Sequence, residues 1–194
     1  MEATVLSDAA YLKVQQRKAK RMLLWITIAG MVMMFAGLTS AYIVRQAEGD
    51  WTQFDLPVQF AISTIIILIS SLTMQLSLKA LNKSNKQQFR LFLFTTLGLG
   101  LFFVFFQFLG WNEMIKQKLF FVANDPSTSF VYALTGLHLI HLFGGLLALI
   151  VCSVKAILDQ YSSENNLGIV QCAVYWHFLD ALWVNLYVFF LFFR

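Results

Sequence analysis

The chain has 194 residues, of which 59% are hydrophobic and only 12% are charged, against roughly 25% charged residues in ordinary soluble domains. A soluble domain of this length cannot bury so much apolar surface in one core, so the composition indicates a protein embedded in lipid. The net charge of +4 comes from basic residues placed between apolar runs, which form no continuous patch, and we predict no nucleic-acid partner.

Five apolar runs are each long enough to cross about 30 Å of hydrocarbon, which needs roughly 20 helical residues. Backbone groups in lipid must be hydrogen-bonded within the chain, and the runs are apolar on every face, so we predict an all-α fold rather than a barrel. The first four runs contain no Asp, Glu, Lys or Arg, and the fifth contains one acid, Asp180. The predicted spans are Met22–Val44, Val58–Leu78, Leu91–Asn112, Ser129–Val154 and Leu167–Phe193.

The positions of Lys and Arg predict the orientation, because loops on the inner side of a membrane are rich in them. With the N-terminus inside, ten of the 14 basic residues fall on the inner side. We therefore expect a basic cytoplasmic tail at residues 1–21, one five-helix transmembrane domain at residues 22–194, and a C-terminus outside. The inner residues are Lys13, Arg17, Lys18, Lys20, Arg21, Lys79, Lys83, Lys86, Arg90 and Lys155, and the outer ones are Arg45, Lys116, Lys118 and Arg194.

Small residues mark two helix faces that we expect to pack closely, because small side chains let helix backbones approach each other in lipid. In span one, Gly30, Gly37 and Ala41 lie within about 40° of one another on a helical wheel. Span four has a broader stripe of small and polar side chains, about 140° wide. That stripe consists of Thr135, His138, His141, Gly145, Ala148 and Cys152.

Two interpretations of His138 and His141 are open. In the first, both are hydrogen-bonded within the packing face of span four. In the second, they bind a metal ion or a haem. A single i,i+3 pair on one helix lacks the further donors that a metal site needs. The pattern therefore favours the first interpretation, and we predict no catalytic, cofactor-binding or metal-binding residue in this chain.

Span five brings together large aromatic and ionisable side chains. At 100° per residue, Trp176, Asp180, Trp183 and Tyr187 lie within about 60° of one another, and His177 is beside them. An ionisable residue inside a span is costly and usually faces the protein interior. The polar residues that we predict to serve packing and assembly are His138, His141, His177, Asp180, Trp176 and Trp183.

Asp180 lies near the middle of span five, where an unpaired carboxylate is expensive. We expect it to be hydrogen-bonded to His138 or His141 on span four, to His177 one turn back, or to a neighbouring subunit, or else to be protonated. The alternative is a proton relay. A relay needs a series of titratable groups, and the other four spans supply no acid, so we predict the assembly role.

Several motifs resemble, in chain order, those of subunit III of the haem–copper terminal oxidases. The sequence YWHFLD at 175–180, with Trp183 and Tyr187 after it, is similar to the last helix of that family. The sequence TGLH at 135–138, with His141 and Gly145, resembles its TGxHxxH helix. Weaker matches cover earlier segments, and together they extend over roughly residues 22–193. The earlier matches are Ala41, Tyr42, Trp51, Pro57, Thr64 and the SSLT sequence at 70–73.

The resemblance implies a cofactor-free subunit of a bacterial cytochrome c oxidase, the enzyme that couples aerobic electron transport to proton pumping. Haem and copper are then expected in subunit I, and this chain supports that subunit through assembly, bound phospholipid and sustained turnover. The implied partners are subunit I, the other oxidase subunits, membrane lipid and a larger respiratory supercomplex. The implied location is the bacterial cytoplasmic, or inner, membrane, with several passes.

The sequence departs from the family at two points, and two alternatives remain. Longer members have seven helices, whereas this chain has counterparts of the last five, as in short bacterial forms. Many members carry Glu in the first of these five, where Met31 stands here, so a proton-reservoir role for that Glu does not carry over. The alternatives are a small membrane cytochrome with His138, His141 or His177 as haem ligands, and a subunit III homologue of a quinol oxidase or nitric oxide reductase complex.

Overall fold

The computed structural model describes residues 2–49, 51, 55–121, 126–162 and 166–193, with the side chains of residues 2–10, 12 and 13 excepted. Over these residues the chain is helical with connecting loops and contains no strand. Each predicted span lies within one helix, and all five helices are long and apolar enough to cross a membrane, which confirms the all-α fold with five spans. The helices are α1 (Glu2–Gln46), α2 (Val58–Asn82), α3 (Lys86–Lys116), α4 (Pro126–Ile157) and α5 (Leu167–Phe193).

The first helix is much longer than the predicted first span. Its 45 residues correspond to about 68 Å at 1.5 Å per residue, more than twice the thickness of the hydrocarbon. The helix is continuous through residue 21. The division between a basic tail and a membrane domain is therefore a change of composition and not a break in secondary structure. Two of the basic residues counted for orientation, Lys13 and Arg194, lie outside the side chains that are described.

Helices α2 and α3 form an antiparallel hairpin joined by three residues, 83–85. Ser84 adopts a left-handed conformation with φ of 57°. The side chain of Asn85 then caps α3 by accepting a hydrogen bond of 3.1 Å from the backbone N–H of Gln88. Helix α5 packs against α1, α2 and α4, and α4 packs against α1, α3 and α5, so that these two helices share the central position.

Two glycines allow neighbouring helices to approach α5. A Cβ atom on Gly100 of α3 would lie only 2.7 Å from the Trp176 ring, and one on Gly145 of α4 would lie 2.9 Å from Leu179 Cδ1. Real Cβ atoms do not come this close, so a larger residue at either position would require the contacted side chain or the helix to move. The close packing predicted for the stripe of span four is confirmed at Gly145.

The close-packing face predicted for span one is wrong within this chain. Among the described residues, no atom of another helix lies within 4 Å of a Cβ built on Gly30 or Gly37, and Ala41 is exposed. Helix α1 is peripheral and contacts the bundle on one side only, where it meets α4 and α5. Its larger side chains fill that contact, among them Met31 and Phe35. The small residues consequently face away from the other described helices.

Polar contacts fix the two ends of the bundle. At one end, Arg90 Nε of α3 donates to the Ala156 carbonyl of α4 at 3.0 Å. Asp159, just after α4, forms ion pairs with Lys86 at 3.0 Å and Arg90 at 2.8 Å. Hydrogen bonds from Lys86 and Arg90 hold the pKa of Asp159 below its ordinary value. At the other end, the hydroxyl of Tyr42 in α1 donates to a backbone carbonyl near the end of α5 at 3.1 Å.

Candidate functional site: the polar contact between α2 and α5

Indole and imidazole groups of α5 meet small hydroxyl side chains of α2. Trp183 Nε1 donates to Thr64 Oγ1 at 3.0 Å, and Trp176 Nε1 donates to the hydroxyl of Ser70 at 3.1 Å. The two helices run antiparallel, so the pairs follow one another in register. A third contact joins Ser71 Oγ to His177 Nδ1 at 2.7 Å. We call this set the α2–α5 polar seam, and it consists of Thr64, Ser70, Ser71, Trp176, His177 and Trp183.

Buried donors explain why the seam exists. The Trp176 and Trp183 side chains are almost fully buried, and a buried indole N–H needs an acceptor. In a span, water cannot supply one, so the acceptor must come from a neighbouring helix. A hydroxyl group can accept this hydrogen bond because it donates its own hydrogen bond to a backbone carbonyl of its helix. The Thr64 hydroxyl donates in this way to the Phe60 carbonyl at 2.7 Å. Both partners of the Trp183 bond are therefore satisfied.

Helix α3 also forms polar contacts with α2. Gln107 Nε2 of α3 donates to the Ser63 hydroxyl of α2 at 3.0 Å. The Thr73 and Thr96 hydroxyl groups are 2.8 Å apart. These residues are buried or half-buried, and together with the α2–α5 polar seam they connect α2, α3 and α5 through side chains.

The serine residues of α2 were not predicted to receive these contacts. The similarity to the family picks out Thr64 and the sequence at 70–73, but it does not say which helix they face. A signal was present in the spacing: Ser63, Ser70 and Ser77 are seven residues apart, which returns each to the same helix face, and all three are fully buried. A repeated small hydroxyl of this kind predicts a polar contact line between helices.

His138 lies in an aromatic environment. Its ring is 5.2 Å from the Trp183 ring and 6.0 Å from the Phe103 ring, and the residue is 1% exposed. Neither ring nitrogen has a hydrogen-bond partner among the described residues. The prediction of a hydrogen-bonded histidine is therefore wrong for His138. The reason is that the position faces aromatic side chains of α3 and α5 rather than the hydroxyl groups of α2.

His141 is hydrogen-bonded, as predicted, and it faces α1. Its Nδ1 lies 2.7 Å from the Leu137 carbonyl on its own helix, and its ring packs edge-on against Phe35 of α1 at 5.9 Å. The hydroxyl of Tyr175 donates to the His141 carbonyl at 3.2 Å and lies 3.9 Å from Met31 Sδ. The two histidines of the stripe thus contact different helices. Across the described residues, no three His, Cys, Asp or Glu side chains converge as metal ligands would.

Among the described residues Asp180 does not pair with either histidine of α4 or with His177, so those alternatives are wrong, while a partner on a neighbouring subunit or a protonated carboxyl group stays a prediction. The residue is 2% exposed, and neither carboxyl oxygen has a well-formed hydrogen bond to any described residue. His138 lies beside Trp183 and His141 lies beside Tyr175. Asp180 comes between Tyr175 and Trp183 along α5, so each histidine contacts α5 at a different height from Asp180. The polar group that approaches Asp180 is the Ser71 hydroxyl of α2, which is already engaged with His177.

A second polar region lies at the end of the bundle that carries Asp159. A cavity of about 510 Å³ opens between α1 and the connection from α4 to α5, and its lining includes Arg17, Lys20 and Lys155. An apolar groove of about 370 Å³ runs on from it between α1, α4 and α5. The two share lining residues, which are Lys155, Tyr161, Gly168 and Gln171.

The sequence is similar to known proteins over most of its length. The profile of the family described as "Cytochrome c oxidase subunit III" matches residues 50–194. The probable cytochrome c oxidase subunit 3 of Nocardia farcinica is 28% identical over 168 residues, which cover 84% of this chain and 82% of that protein. The protein named cytochrome c oxidase subunit 3 in Spodoptera frugiperda is 30% identical over 135 residues, or 70% of this chain and 87% of that one. The probable subunit 3 of Mycobacterium leprae is 27% identical over 174 residues, with 87% and 85% covered.

Proposed function

This chain belongs to the cytochrome c oxidase subunit III family, and we propose that it is a non-catalytic subunit of a bacterial haem–copper terminal oxidase. In this role it supports subunit I, which carries the haems and copper, through assembly, bound phospholipid and sustained turnover. Other oxidase subunits, and a larger respiratory supercomplex, are its further partners.

The observation that carries this proposal is the α2–α5 polar seam. Trp176 and Trp183 are the largest polar side chains of α5, and their N–H groups are engaged with Ser70 and Thr64 of the same chain. Groups used in this way hold helices together and are not free to bind a substrate. The two tryptophans of α5 therefore support a structural role, and in this proposal electron transfer and oxygen reduction take place in the partner subunit.

A comparison of oxidase purified with and without this chain tests the proposal. Removal of the chain should leave the haem and copper content per subunit I unchanged and the initial rate of oxygen consumption of the same order. The number of turnovers before the enzyme loses activity should fall. Loss of a haem or copper centre, in particles that otherwise keep all their subunits, would contradict the proposal.

The orientation that we propose places the N-terminus in the cytoplasm and the protein in the bacterial inner membrane. The basic cavity with Arg17, Lys20 and Lys155, and the ion pairs of Asp159, gather at one end of the bundle. An excess of Lys and Arg at one end supports the cytoplasmic assignment of that end.

We place a bound phospholipid at the cavity and groove of this cytoplasmic end. The guanidinium and ammonium groups of Arg17, Lys20 and Lys155 suit the phosphate of a headgroup, and the groove beside Leu24 and Val151 suits an acyl chain. Changing Arg17 and Lys155 to Gln should lower the phospholipid that stays with the purified complex. Lys83→Gln, an exposed residue that does not line the cavity, is the matched control and should leave the lipid content unchanged. Equal lipid content in both variants would contradict this placement.

A further inference from the structure

We propose that Gln107 of α3 and His138 of α4 bind one water molecule between them in the core of the bundle. Both residues are 1% exposed. The amide oxygen of Gln107 and both ring nitrogens of His138 have no hydrogen-bond partner among the described residues. Buried polar groups are rarely left unpaired, because each has lost its hydrogen bonds to solvent. The helices of this chain form the site by themselves, so it does not depend on the oxidase role proposed above.

Contacts on either side of Gln107 along α3 place it opposite His138. One turn before Gln107, the Phe103 ring lies 6.0 Å from the His138 ring. One turn after it, Trp111 Nε1 donates to Thr135 Oγ1 of α4 at 3.1 Å. Residues four apart lie on the same face of a helix, so Gln107 faces the turn of α4 between Thr135 and His138.

The antiparallel register of α3 and α4 gives the height of the two side chains. A Cβ atom on Gly100 of α3 would lie 3.0 Å from Leu146 Cδ2 of α4. Eleven residues separate Gly100 from Trp111, and eleven also separate their two partners on α4, so the helices keep one register between these contacts. Along this register Gln107 is level with the residue that follows His138.

Helices α2 and α5 complete a layer of side chains at this height. Gln107 Nε2 donates to the Ser63 hydroxyl of α2 at 3.0 Å. The Trp183 ring of α5 lies 5.2 Å from the His138 ring, and its N–H donates to Thr64, the neighbour of Ser63. We call these five residues the core polar layer. Each of the four helices contributes to it, and the Gln107 amide oxygen and the His138 ring remain to be paired.

A water molecule matches the groups that remain. A neutral imidazole has one N–H donor, and an amide oxygen only accepts. A direct hydrogen bond would join the two, but Gln107 and His138 do not form one. A water molecule can accept from the ring N–H and donate to the amide oxygen, through two bonds of about 2.8 Å each. The core polar layer contains no Asp, Glu, Lys or Arg, so its ligand is small and neutral rather than an ion.

A cryo-EM map of the intact oxidase complex, at a resolution that shows ordered water, tests this site. We expect a density peak within about 3.2 Å of both Gln107 Oε1 and one ring nitrogen of His138. The peak should disappear in Gln107→Leu. It should remain in Thr95→Val, which changes an exposed residue of the same helix. A parent map that resolves other buried water but has no peak here, or that shows Gln107 bonded directly to His138, would overturn the proposal.

X-ray radiolysis of the same complex gives a second readout, because hydroxyl radicals formed from a bound water oxidise the side chains beside it. Trp183 and Trp176 are both almost fully buried on α5, but Trp183 lies beside His138 while Trp176 lies against Gly100. We expect Trp183 to be oxidised several-fold faster than Trp176, and this difference to disappear in Gln107→Leu. Oxidation of Tyr11, which is 63% exposed, measures the radical dose in each sample. Equal rates for the two tryptophans in the parent, or a difference that persists in Gln107→Leu, would contradict the proposal.

Discussion

Trp183 Nε1 on α5 donates a hydrogen bond to Thr64 Oγ1 on α2, 3.0 Å away. The Thr64 hydroxyl donates a hydrogen bond to the Phe60 carbonyl, so the group that accepts from the indole is itself fixed in orientation. This short series of bonds connects the two helices where both are buried. Breaking one of these bonds should therefore change the stability of the fold by a measurable amount.

Thr64→Val keeps the size of the side chain but leaves the Trp183 N–H without its acceptor. We expect this change to destabilise the purified chain by about 1–3 kcal/mol, the cost of a buried unsatisfied donor. In a Trp183→Phe background no donor is stranded, so the same change at Thr64 should cost much less. Thermal unfolding of the four proteins in detergent provides this double-mutant cycle. Equal costs of Thr64→Val in both backgrounds would mean that the bond does not stabilise the fold.

Asp180 variants distinguish packing from proton transfer. Asp180→Asn is neutral and nearly the same shape, so it should assemble as the parent does. In Asp180→Leu the Ser71 hydroxyl, which approaches the carboxyl group, keeps its contact with His177, so the stability of the isolated chain should change by less than about 1 kcal/mol. Both expectations are checked by unfolding and by the yield of chain in the complex. A block of proton uptake in a fully assembled Asn variant would instead identify Asp180 as a relay residue.

Cysteine labelling tests the orientation with two matched positions on one helix. Gln87 and Gln117 are both exposed and lie at opposite ends of α3. A membrane-impermeant maleimide added to intact cells should label Gln117→Cys and spare Gln87→Cys. The native cysteines are buried and should stay unlabelled in both. Labelling of Gln87→Cys alone would reverse the orientation.

The ion pairs of Asp159 predict a pH-dependent stability. Hydrogen bonds from Lys86 and Arg90 lower the pKa of Asp159, so the ionised carboxylate is favoured more in the folded state than in the unfolded state. The contribution of these ion pairs to the free energy of unfolding is complete above pH 3.8, the ordinary pKa of the side chain. It is lost as the pH falls through the lower pKa of the folded state. Asp159→Asn should therefore lower the unfolding temperature near neutral pH but not well below 3.8. A difference that stays constant at low pH would show that the ion pairs are not its cause.

The helices could be predicted from sequence because hydropathy and length act locally, and each predicted span lies inside one helix. The contacts between helices could not be predicted to the same extent. A helical wheel identifies a face, but it does not say which helix covers that face or at which level. For this reason the prediction of close packing is confirmed at Gly145, while the described helices do not cover the face that contains Gly30 and Gly37.

The same limit of the helical wheel explains why the partners of the polar residues could not be predicted. Asp180 and His138 were correctly predicted to be buried, but the wheel cannot show that Asp180 faces Ser71 while His138 faces Trp183. The level of each residue depends on the register between α4 and α5, which depends on close approaches such as that at Gly145. Pairing across helices is a property of the packed structure, and one sequence contains only weak signals of it.

The most direct test of a redox-inactive role within an oxidase is to find which chain carries the haem. The complex is purified through this subunit in a mild detergent, and its chains are then separated under conditions that retain haem. This chain should co-migrate with a haem- and copper-containing subunit at first. After separation, the Soret absorption should remain with that partner, and the isolated chain should have no visible band. A Soret band that stays with this chain, through His138, His141 or His177, would contradict the account.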